Sequence, residues 1–258
     1  MLGAIEQIAR LWPASGKVIA LTGAGISVAS GIPDFRSPGG LWSRYDPLRV
    51  ATADALENDP SGVWEFLLDA VGVMSEAEPN PAHIALAQLE QAGLLEAVIT
   101  QNIDGLHQRA GSSNVVEFHG SMDRWRCNAC GRPHGDISDP HGARAVTSSS
   151  APWLCSCGGV VRPDIVFFGE AIPLDALRKS GQLACGAHLA LIVGTSLEVA
   201  PANSLPGLTS RHGGKVVEIN MEPSPAGRRC DARVAARAEE ALPMLAGLLL
   251  RNMNPIRR

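Results

Sequence analysis

The sequence lacks a long hydrophobic run and has no excess of basic charge. Its longest apolar stretches, Ala187–Val193 and Leu242–Leu250, are far shorter than the ~20 residues that a membrane-spanning helix needs. The formal net charge is -4, so a broad basic surface for nucleic acid or anionic lipid is disfavoured. We therefore expect a soluble protein with no membrane partner and no direct nucleic-acid partner.

The N-terminal segment lacks the features of a secretory leader. Residues 1–17 contain no basic region ahead of a long apolar run and no small-residue cleavage site, and they include Glu6. We therefore predict a cytoplasmic protein, whose six cysteines would serve metal binding or catalysis before disulfides. With 258 residues and 45% hydrophobic composition, the chain has enough apolar surface for one large or two modest domains.

Short apolar runs alternate with helix-period segments along most of the chain. The first run, Lys17–Thr22, stops at Gly23-Ala-Gly25, as a buried parallel strand does when it enters a ligand-facing turn. The alternation predicts an α/β fold with a doubly wound, Rossmann-like parallel sheet. The other predicted strands are Leu95–Thr100, Val115–His119, Ile165–Phe168, Leu189–Val193 and Lys215–Asn220, and the predicted helices between strands include His83–Ala92, Leu174–Ala184 and Glu239–Leu250.

Two stretches interrupt this alternation. Residues 32–79 are rich in Pro, Gly, Asp and Trp with one helical piece near Val63–Val73, and residues 124–162 hold four of the six cysteines. We predict that they form a smaller domain with a helical part and a zinc-binding part, and that Thr147–Ser150 is a flexible loop within it. Residues 1–31, 80–123 and 163–258 then form the larger domain, and a ligand is expected in the crevice between the two.

Four cysteines have the spacing of a zinc site. The pairs Cys127-x-x-Cys130 and Cys155-x-Cys157 supply four soft ligands, and glycines follow each pair to make tight turns. This pattern predicts one structural, tetrahedral Zn²⁺ with no open position for catalysis, and the alternative is four reduced buried cysteines. The second pair is tighter than the two-residue spacing that is usual. Cys185 and Cys230 are solitary and receive no role.

The turn Gly23-Ala-Gly25 would let backbone amides approach a pyrophosphate. However, Val28 stands where the dehydrogenase fingerprint has its third glycine, and no strand ending in an acidic residue follows. An ordinary connection from strand to helix therefore remains an equal alternative when this motif is considered alone.

Seven motifs follow one another in a fixed order over nearly the whole chain. They are Gly23-Ala-Gly-Ile-Ser27 with Gly31-Ile-Pro-Asp-Phe-Arg36, Thr100-Gln-Asn-Ile-Asp-Gly-Leu-His107, Phe118-His-Gly120, Arg162-Pro-Asp-Ile-Val-Phe-Phe-Gly-Glu170, Gly194-Thr-Ser196 and Glu218-Ile-Asn220. Together they resemble the sirtuin family of NAD-dependent protein deacylases. The resemblance implies an NAD-binding parallel-sheet domain, a small zinc-containing domain, NAD as a co-substrate, and acyl-lysine proteins as the other substrates.

The resemblance also implies the catalytic residues, His119 and Asn102. His119 matches the general base that activates a ribose hydroxyl of NAD, and an unperturbed imidazole titrates near the pH that such a base needs. Asn102 and Asp104 match a pair that contacts the ribose and the nicotinamide. The alternatives are a structural histidine and ordinary Asn and Asp turn chemistry.

A larger set of residues matches the family's cofactor contacts. Phe35 is expected to shield the activated sugar from water, and its alternative role is that of a core residue beside a solvated Arg36. Ala238 matches a contact made largely through the backbone. The full set is Gly23, Ala24, Gly25, Asp34, Phe35, Arg36, Gln101, Asn102, Ile103, Asp104, Gly194, Thr195, Ser196, Asn220, Met221, Glu222 and Ala238.

Two segments match those between which sirtuin substrates lie as an added strand, which gives affinity with little sequence selectivity. For Val166 and Val199 the alternative is an ordinary core position. The predicted substrate-binding residues are Val166, Phe167, Gly169, Glu170, Glu198 and Val199.

The predicted activity is NAD-dependent removal of acyl groups from protein lysines, with acetyl as the expected group. The family's reaction yields nicotinamide, O-acyl-ADP-ribose and free lysine, so the enzyme is formally a transferase. Members that remove malonyl or succinyl carry Tyr-x-x-Arg after a Trp-Glu-Phe-like stretch, where this chain has Leu67 and Ala70. The alternatives are a mono-ADP-ribosyltransferase and a non-catalytic zinc-ribbon interaction module, and the retention of His119, Asn102 and Asp104 speaks against the second.

Overall fold

The computed structural model describes residues 1–33, 44–136, 152–227 and 230–253. The predicted cofactor residues Asp34, Phe35 and Arg36 and the predicted loop Thr147–Ser150 lie outside these ranges. Within the described ranges, every helix is too short or too polar to cross a membrane.

Strands and helices alternate along most of the described chain. The strands are β1 (Val18–Thr22), β2 (Ala97–Thr100), β3 (Val115–Glu117), β4 (Gly120–Cys127), β5 (Pro133–Asp136), β6 (Val161–Ile165), β7 (Leu189–Val193), β8 (Lys215–Ile219) and β9 (Ala232–Val234). The helices are α1 (Leu2–Leu11), α2 (Pro47–Val50), α3 (Ala53–Asn58), α4 (Pro60–Glu76), α5 (Pro81–Gln91), α6 (Leu106–Arg109), α7 (Leu174–Gly186), α8 (Leu205–Arg211) and α9 (Ala238–Met253).

A six-stranded sheet in the order β3-β2-β1-β7-β8-β9 forms the larger unit, and all its neighbouring strands are parallel. The chain leaves the centre of this sheet in both directions, because β2 and β3 extend from one side of β1 while β7, β8 and β9 extend from the other. Loops that follow β1 and β7 therefore diverge at the carboxyl edge and leave a crevice there. The predicted doubly wound sheet is confirmed.

The residues of β1 explain why the sheet is covered on both faces. All five are buried, and successive side chains point to opposite sides. Val18 and Ala20 belong to a core cluster with residues of α1, α5 and α9, whereas Ile19 and Leu21 belong to a second cluster with residues of α7 and α8. The strand β9 was not predicted, since three residues with Arg233 at the centre give too short an apolar pattern.

A smaller antiparallel sheet, in the order β5-β4-β6, packs with α2, α3 and α4 around a third core cluster. The rings of Trp64 and Trp125 lie 5.3 Å apart in this cluster, and Trp64 Nε1 donates to the Val161 carbonyl at 2.9 Å. Each buried indole thus packs against apolar neighbours, and that of Trp64 also satisfies its N–H. These contacts join the helical part of the unit to its sheet.

The predicted strand at Ile165–Phe168 is wrong. The strand β6 ends at Ile165 and pairs antiparallel with β4, outside the parallel sheet. After it, the Phe168 N–H donates to the Ala51 carbonyl at 2.8 Å, so the apolar run continues as a connection to the helical part. An apolar run identifies buried chain, but pairing decides which sheet the chain joins.

The predicted domain boundaries stay a prediction. Strand β4 runs across the boundary between residues 123 and 124, and strand β6 runs across the one between residues 162 and 163. The two units are therefore joined through continuous strands as well as through loops.

Candidate active site and metal site

The loops that follow β1 and β7 touch at their first residues, at the centre of the carboxyl edge. The Gly25 N–H donates to the Gly194 carbonyl at 2.8 Å. Gly194 has a φ of +57°, and a Cβ on it would lie 2.4 Å from the Ile26 nitrogen, so only glycine fits. Backbone rather than side chains therefore forms the floor of the crevice, as close approach of a pyrophosphate requires.

A buried polar network lies beside this floor. Asn102 Nδ2 donates to the Gly23 carbonyl at 3.1 Å and to Ser27 Oγ at 3.0 Å, and Ser27 Oγ donates to Asp104 Oδ2 at 2.7 Å. Burial raises the pKa of Asp104, and the hydrogen bond from Ser27 opposes that effect. The Leu106 N–H also donates to Asp104 Oδ1 at 3.0 Å, so this aspartate serves the turn as well as the network.

Two buried histidines lie behind the network. His107 Nε2 is 2.9 Å from Thr22 Oγ1, and His83 Nε2 is 3.5 Å from Ser27 Oγ. Burial lowers the pKa of His107 to about 3 and that of His83 to about 4, so both are neutral at physiological pH.

His119 occupies the short turn between β3 and β4. Its Nδ1 lies 3.0 Å from the Gln101 carbonyl, which can only accept, so Nδ1 carries the proton and Nε2 keeps its lone pair. Burial lowers the pKa of His119, and the hydrogen bond to Gln101 opposes the shift. The next residue, Gly120, has a φ of +80°, and a Cβ there would lie 2.0 Å from the Asp164 carbonyl oxygen. The imidazole is thus held neutral, in one tautomer, by a turn that requires glycine.

Gln101 and Thr195 connect the ends of the central strands. Gln101 Nε2 donates to Thr195 Oγ1 at 2.8 Å, and Asn220 Nδ2 donates to the Thr195 carbonyl at 2.8 Å. Leu197 follows with a φ of +52°, a strained conformation for a residue with a side chain. The carboxyl ends of β1, β2, β7 and β8 therefore meet around one crevice.

The remaining predicted cofactor residues lie on the loops and turns of the same edge. Ala24 and Ile103 are half-buried, Ser196 is exposed, and Met221 and Glu222 are exposed after β8. Ala238 is the first residue of α9 and is buried, and α9 packs against the turn at residues 24–26.

The predicted substrate residues fall on two segments, one after β6 and one after β7. The Val166 N–H donates to the His119 carbonyl at 2.9 Å, so this segment lies against the turn that carries His119. Phe167 is 2% exposed, and Gly169 is exposed with a φ of +91°. Glu170 makes an ion pair with Arg162. On the second segment Glu198 is exposed and Val199 is half-buried.

The four predicted metal ligands converge. Their sulfur atoms all lie within 4.8 Å of one another, with Cys127 Sγ 3.5 Å from Cys157 Sγ and Cys130 Sγ 3.8 Å from Cys155 Sγ. Thiolates bound tetrahedrally to Zn²⁺ at ~2.3 Å stand about 3.8 Å apart, so the set fits this ion. The Cys130 N–H hydrogen bond is the main cause that lowers the pKa of Cys127 to about 6. For Cys157 the Gly159 N–H hydrogen bond acts to lower the pKa, but the three neighbouring thiols outweigh it and raise the pKa to about 11, so the four thiols titrate as one group.

Sequence reasoning missed several residues of this site. Ser27 belongs to the motif that begins at Gly23, and its position two residues after Gly25 was a usable signal. Thr22, His83 and His107 gave none, because a polar residue on a strand or helix does not reveal that it faces a buried network. Arg162 begins one of the motifs, but the sequence assigned it no role of its own.

The fold and the site define a class of protein, in which a parallel sheet binds a nucleotide at its switch point and a closed four-cysteine centre stabilises a second unit. The family model that matches residues 23–201 is that of the Sir2 family. The chain belongs to the Sir2 family.

Relatives and solved structures of this family match nearly the whole chain. A protein of Pyrococcus furiosus named NAD-dependent protein deacylase is 45% identical over 246 residues, which are 95% of this chain and 96% of the relative. A crystal structure of a Sir2 homologue with NAD has a TM-score of 0.87 at 36% identity, covering 96% of this chain and 95% of the other. A Sir2 complex with a p53 peptide and NAD⁺ has a TM-score of 0.83 at 38% identity, covering 96% and 98%.

Proposed function

We propose that the protein removes acyl groups, with acetyl as the expected group, from lysine side chains of proteins and consumes NAD in doing so. The observation that carries the proposal is the state of His119, a neutral imidazole whose Nδ1 proton is fixed on the Gln101 carbonyl. Nε2 is then the atom able to accept a proton. The products are nicotinamide, O-acyl-ADP-ribose and free lysine, so NAD is a substrate.

When bound, NAD supplies the ribose carbon that receives the acyl oxygen as nicotinamide leaves. The backbone of Gly23, Gly25 and Gly194 approaches the pyrophosphate without side chains in the way. Asn102 and Asp104, joined through Ser27, hold the nicotinamide and its ribose in one orientation. His119 Nε2 takes the proton from a ribose hydroxyl and so makes that oxygen the nucleophile.

The peptide lies between two segments of the chain. On one side is Val166 to Glu170, which the Val166 N–H ties to the His119 carbonyl. On the other side are Glu198 and Val199, just after the strained Leu197. This arrangement delivers the acyl group next to the catalytic turn, and the domain division given above would place the crevice between the two units.

The test is a single incubation read by mass spectrometry. The protein is mixed with NAD and an equimolar set of acetyl-, propionyl-, butyryl- and succinyl-lysine peptides. We expect the loss of one acyl mass from at least one peptide and the appearance of nicotinamide and O-acyl-ADP-ribose in equal amounts. Unchanged peptides, with the protein folded and zinc bound, would contradict the proposal.

A parallel reaction separates the deacylase from a mono-ADP-ribosyltransferase. NAD labelled in its adenylate part is incubated with the same peptides and with carrier protein. Label converted to O-acyl-ADP-ribose supports deacylation, whereas label retained stoichiometrically on protein supports transfer of ADP-ribose.

A further inference from the structure

A buried arginine lies at the start of the segment that the proposed function assigns to the acyl-lysine peptide. Arg162 has an exposure of 0%. Its Nε donates to the Pro163 carbonyl at 3.2 Å, its Nη2 donates to the Ile165 carbonyl, and both terminal nitrogens donate to Glu170. The guanidinium therefore binds acceptors at several positions within residues 162–170.

Glu170 closes this segment from its other end. Its Oε1 accepts from Arg162 Nη1 at 2.5 Å, and its Oε2 accepts from Arg162 Nη2 at 2.9 Å and from the Phe167 N–H at 2.9 Å. Burial acts to raise the pKa of Glu170, but the hydrogen bonds from Arg162 and Phe167 outweigh it and lower the pKa. The carboxylate thus points back into its own segment, where it accepts three hydrogen bonds.

The interior of the closed segment is filled. The Arg162 guanidinium lies 4.5 Å from the centre of the Phe167 ring, and Phe167 is 2% exposed. A cation over an aromatic face gains energy in a desolvated place, and the ring leaves little room for the segment to collapse inward. The segment therefore has one well-determined shape.

The outer side of the segment contacts both halves of the site. The Val166 N–H donates to the His119 carbonyl, the Phe168 N–H donates to the Ala51 carbonyl, and the Ala53 N–H donates to the Phe168 carbonyl at 3.1 Å. A change in the shape of the segment would move Val166 relative to His119. The ion pair between Arg162 and Glu170 therefore determines where Val166 lies relative to His119.

We propose that Arg162 and Glu170 are positioning residues, which hold residues 166–169 in the shape that receives the acyl-lysine peptide. This proposal rests on the proposed function and replaces, for Glu170, the direct substrate contact predicted from the sequence. Preordering the segment lowers the entropy cost of adding the peptide as a strand. The pair should thus act on peptide binding and leave NAD binding unchanged.

The test compares Glu170→Gln, Arg162→Lys and the double variant with the matched control Glu96→Gln. Glu96 pairs with Lys17 at 2.8 Å at the opposite edge of the sheet. We expect each single variant to raise KM for an acetyl-lysine peptide at least ~10-fold, which is ~1.4 kcal/mol. KM for NAD should stay within about twofold, zinc should stay at one per chain, and Glu96→Gln should match the unmodified protein.

The double variant separates positioning from contact. If the pair acts as a unit, its KM for peptide should be no higher than that of the worse single variant, because the interaction is lost only once. A direct contact by Glu170 predicts instead that Arg162→Lys leaves KM unchanged, and that result would overturn the proposal. Equal rises in both KM values, or a fall in kcat alone, would also overturn it.

The effect of Arg162 and Glu170 on peptide binding can be measured even if the protein shows no turnover. Should the unmodified protein show no turnover, the proposed function is wrong, while binding of a fluorescent acetyl-lysine peptide still measures the effect of the pair. Should Arg162→Lys not fold, Glu170→Gln and Glu170→Asp are compared. The Asp variant keeps the charge on a shorter side chain, so it should weaken peptide binding less than Gln, and the opposite order would count against positioning.

Discussion

At the scale of the residue, the site depends on side chains whose protonation is fixed by where they are buried. His119, His83 and His107 each have a lowered pKa, with burial as the main cause. His119 differs from the other two in position, because it lies in a turn at the crevice while they lie behind a hydrogen-bonded network. The proposed chemistry and the structural support therefore fall to different histidines, although all three are neutral.

Replacing the proposed base should remove turnover and leave binding intact. His119→Ala deletes the atom that accepts the ribose proton, so we expect kcat to fall at least ~10²-fold, the usual scale for a general base. Equilibrium binding of NAD and the melting temperature should change little. The control is His212→Ala, on an exposed histidine at the end of α8. Full activity in His119→Ala would refute the assignment.

The two histidines behind the network should make the fold sensitive to acid. Their folded-state pKa values are about 3 and about 4, below the ~6.5 of an unfolded chain, so the unfolded state binds protons more readily. The stability that they contribute is complete above pH 6.5 and is lost as the pH falls from there toward 4. Each histidine that stays neutral in the folded protein should lower the free energy of unfolding by about 1.4 kcal/mol per pH unit below about pH 6.

Urea unfolding between pH 7 and pH 5 measures this dependence. His107→Gln keeps a polar group near Thr22 but cannot titrate, so the free energy of unfolding should fall less steeply with acid than in the unmodified protein. His212→Gln should keep the original slope. Equal slopes for His107→Gln and the unmodified protein would show that His107 does not stay neutral on folding.

At the scale of the element, α4 combines two surfaces that bear on acyl choice. Leu67 and Ala70, the two positions on which the expected acyl preference rests, are buried in the core cluster of the smaller unit. On the outer face, Asp69 accepts from the Tyr45 hydroxyl and pairs with Arg44 at 3.2 Å. Two arginines before α4, Arg44 and Arg49, could instead bind an acidic acyl group. Arg44 is already paired with Asp69, which leaves Arg49.

Neutral acyl groups should be preferred over acidic ones. Burial of the succinyl carboxylate costs several kcal/mol unless a cation and a donor meet it, and Leu67 and Ala70 supply neither. We expect kcat/KM for acetyl-lysine to exceed that for succinyl-lysine at least ~10-fold, with propionyl and butyryl also accepted. A competition between the peptides, followed by mass spectrometry, measures the ratio. Faster removal of succinyl would point to Arg49, and Arg49→Met would then reverse it.

At the scale of the whole molecule, two hydrophobic units with separate cores are joined by strands. The larger sheet is covered on both faces by helices, whereas the described part of the smaller unit packs around a cluster that includes Cys127 and Cys155. Trp64 and Trp125 lie in that cluster, and Trp12 lies in the larger core. The four-cysteine centre therefore supports the unit with the smaller core.

Removing zinc should unfold the smaller unit selectively. Metal binding by such cysteine turns is coupled to folding, so a strong chelator or Cys155→Ser should expose Trp64 and Trp125 and red-shift the fluorescence. Most of the far-ultraviolet circular dichroism, from the larger sheet and its helices, should remain. Cys185→Ser, at a solitary cysteine, is the control. Metal analysis should give one zinc per chain, and well-folded, active protein without zinc would contradict the assignment.

The sequence by itself determined the elements whose signal is local. The strands β1, β2 and β7 are nearly continuous apolar runs, and the cysteine pairs carry their turn glycines beside them, so each is visible within a short window. The ordered motifs identified the family for the same reason, since each motif is a contiguous stretch of sequence that includes or adjoins a strand end.

Only the tertiary structure decided what depends on partners distant in the chain. Pairing with β4 placed Ile165 in the antiparallel sheet. Contacts with Thr22 and Ser27 placed His107 and His83 in the buried layer that supports the polar network. The Glu170 carboxylate likewise turned inward to Arg162, although its motif suggested a residue that meets the substrate. The physical reason is that the position of a polar or charged side chain depends on the group that satisfies its hydrogen bonds or its charge, and that group is known only when the chain has folded.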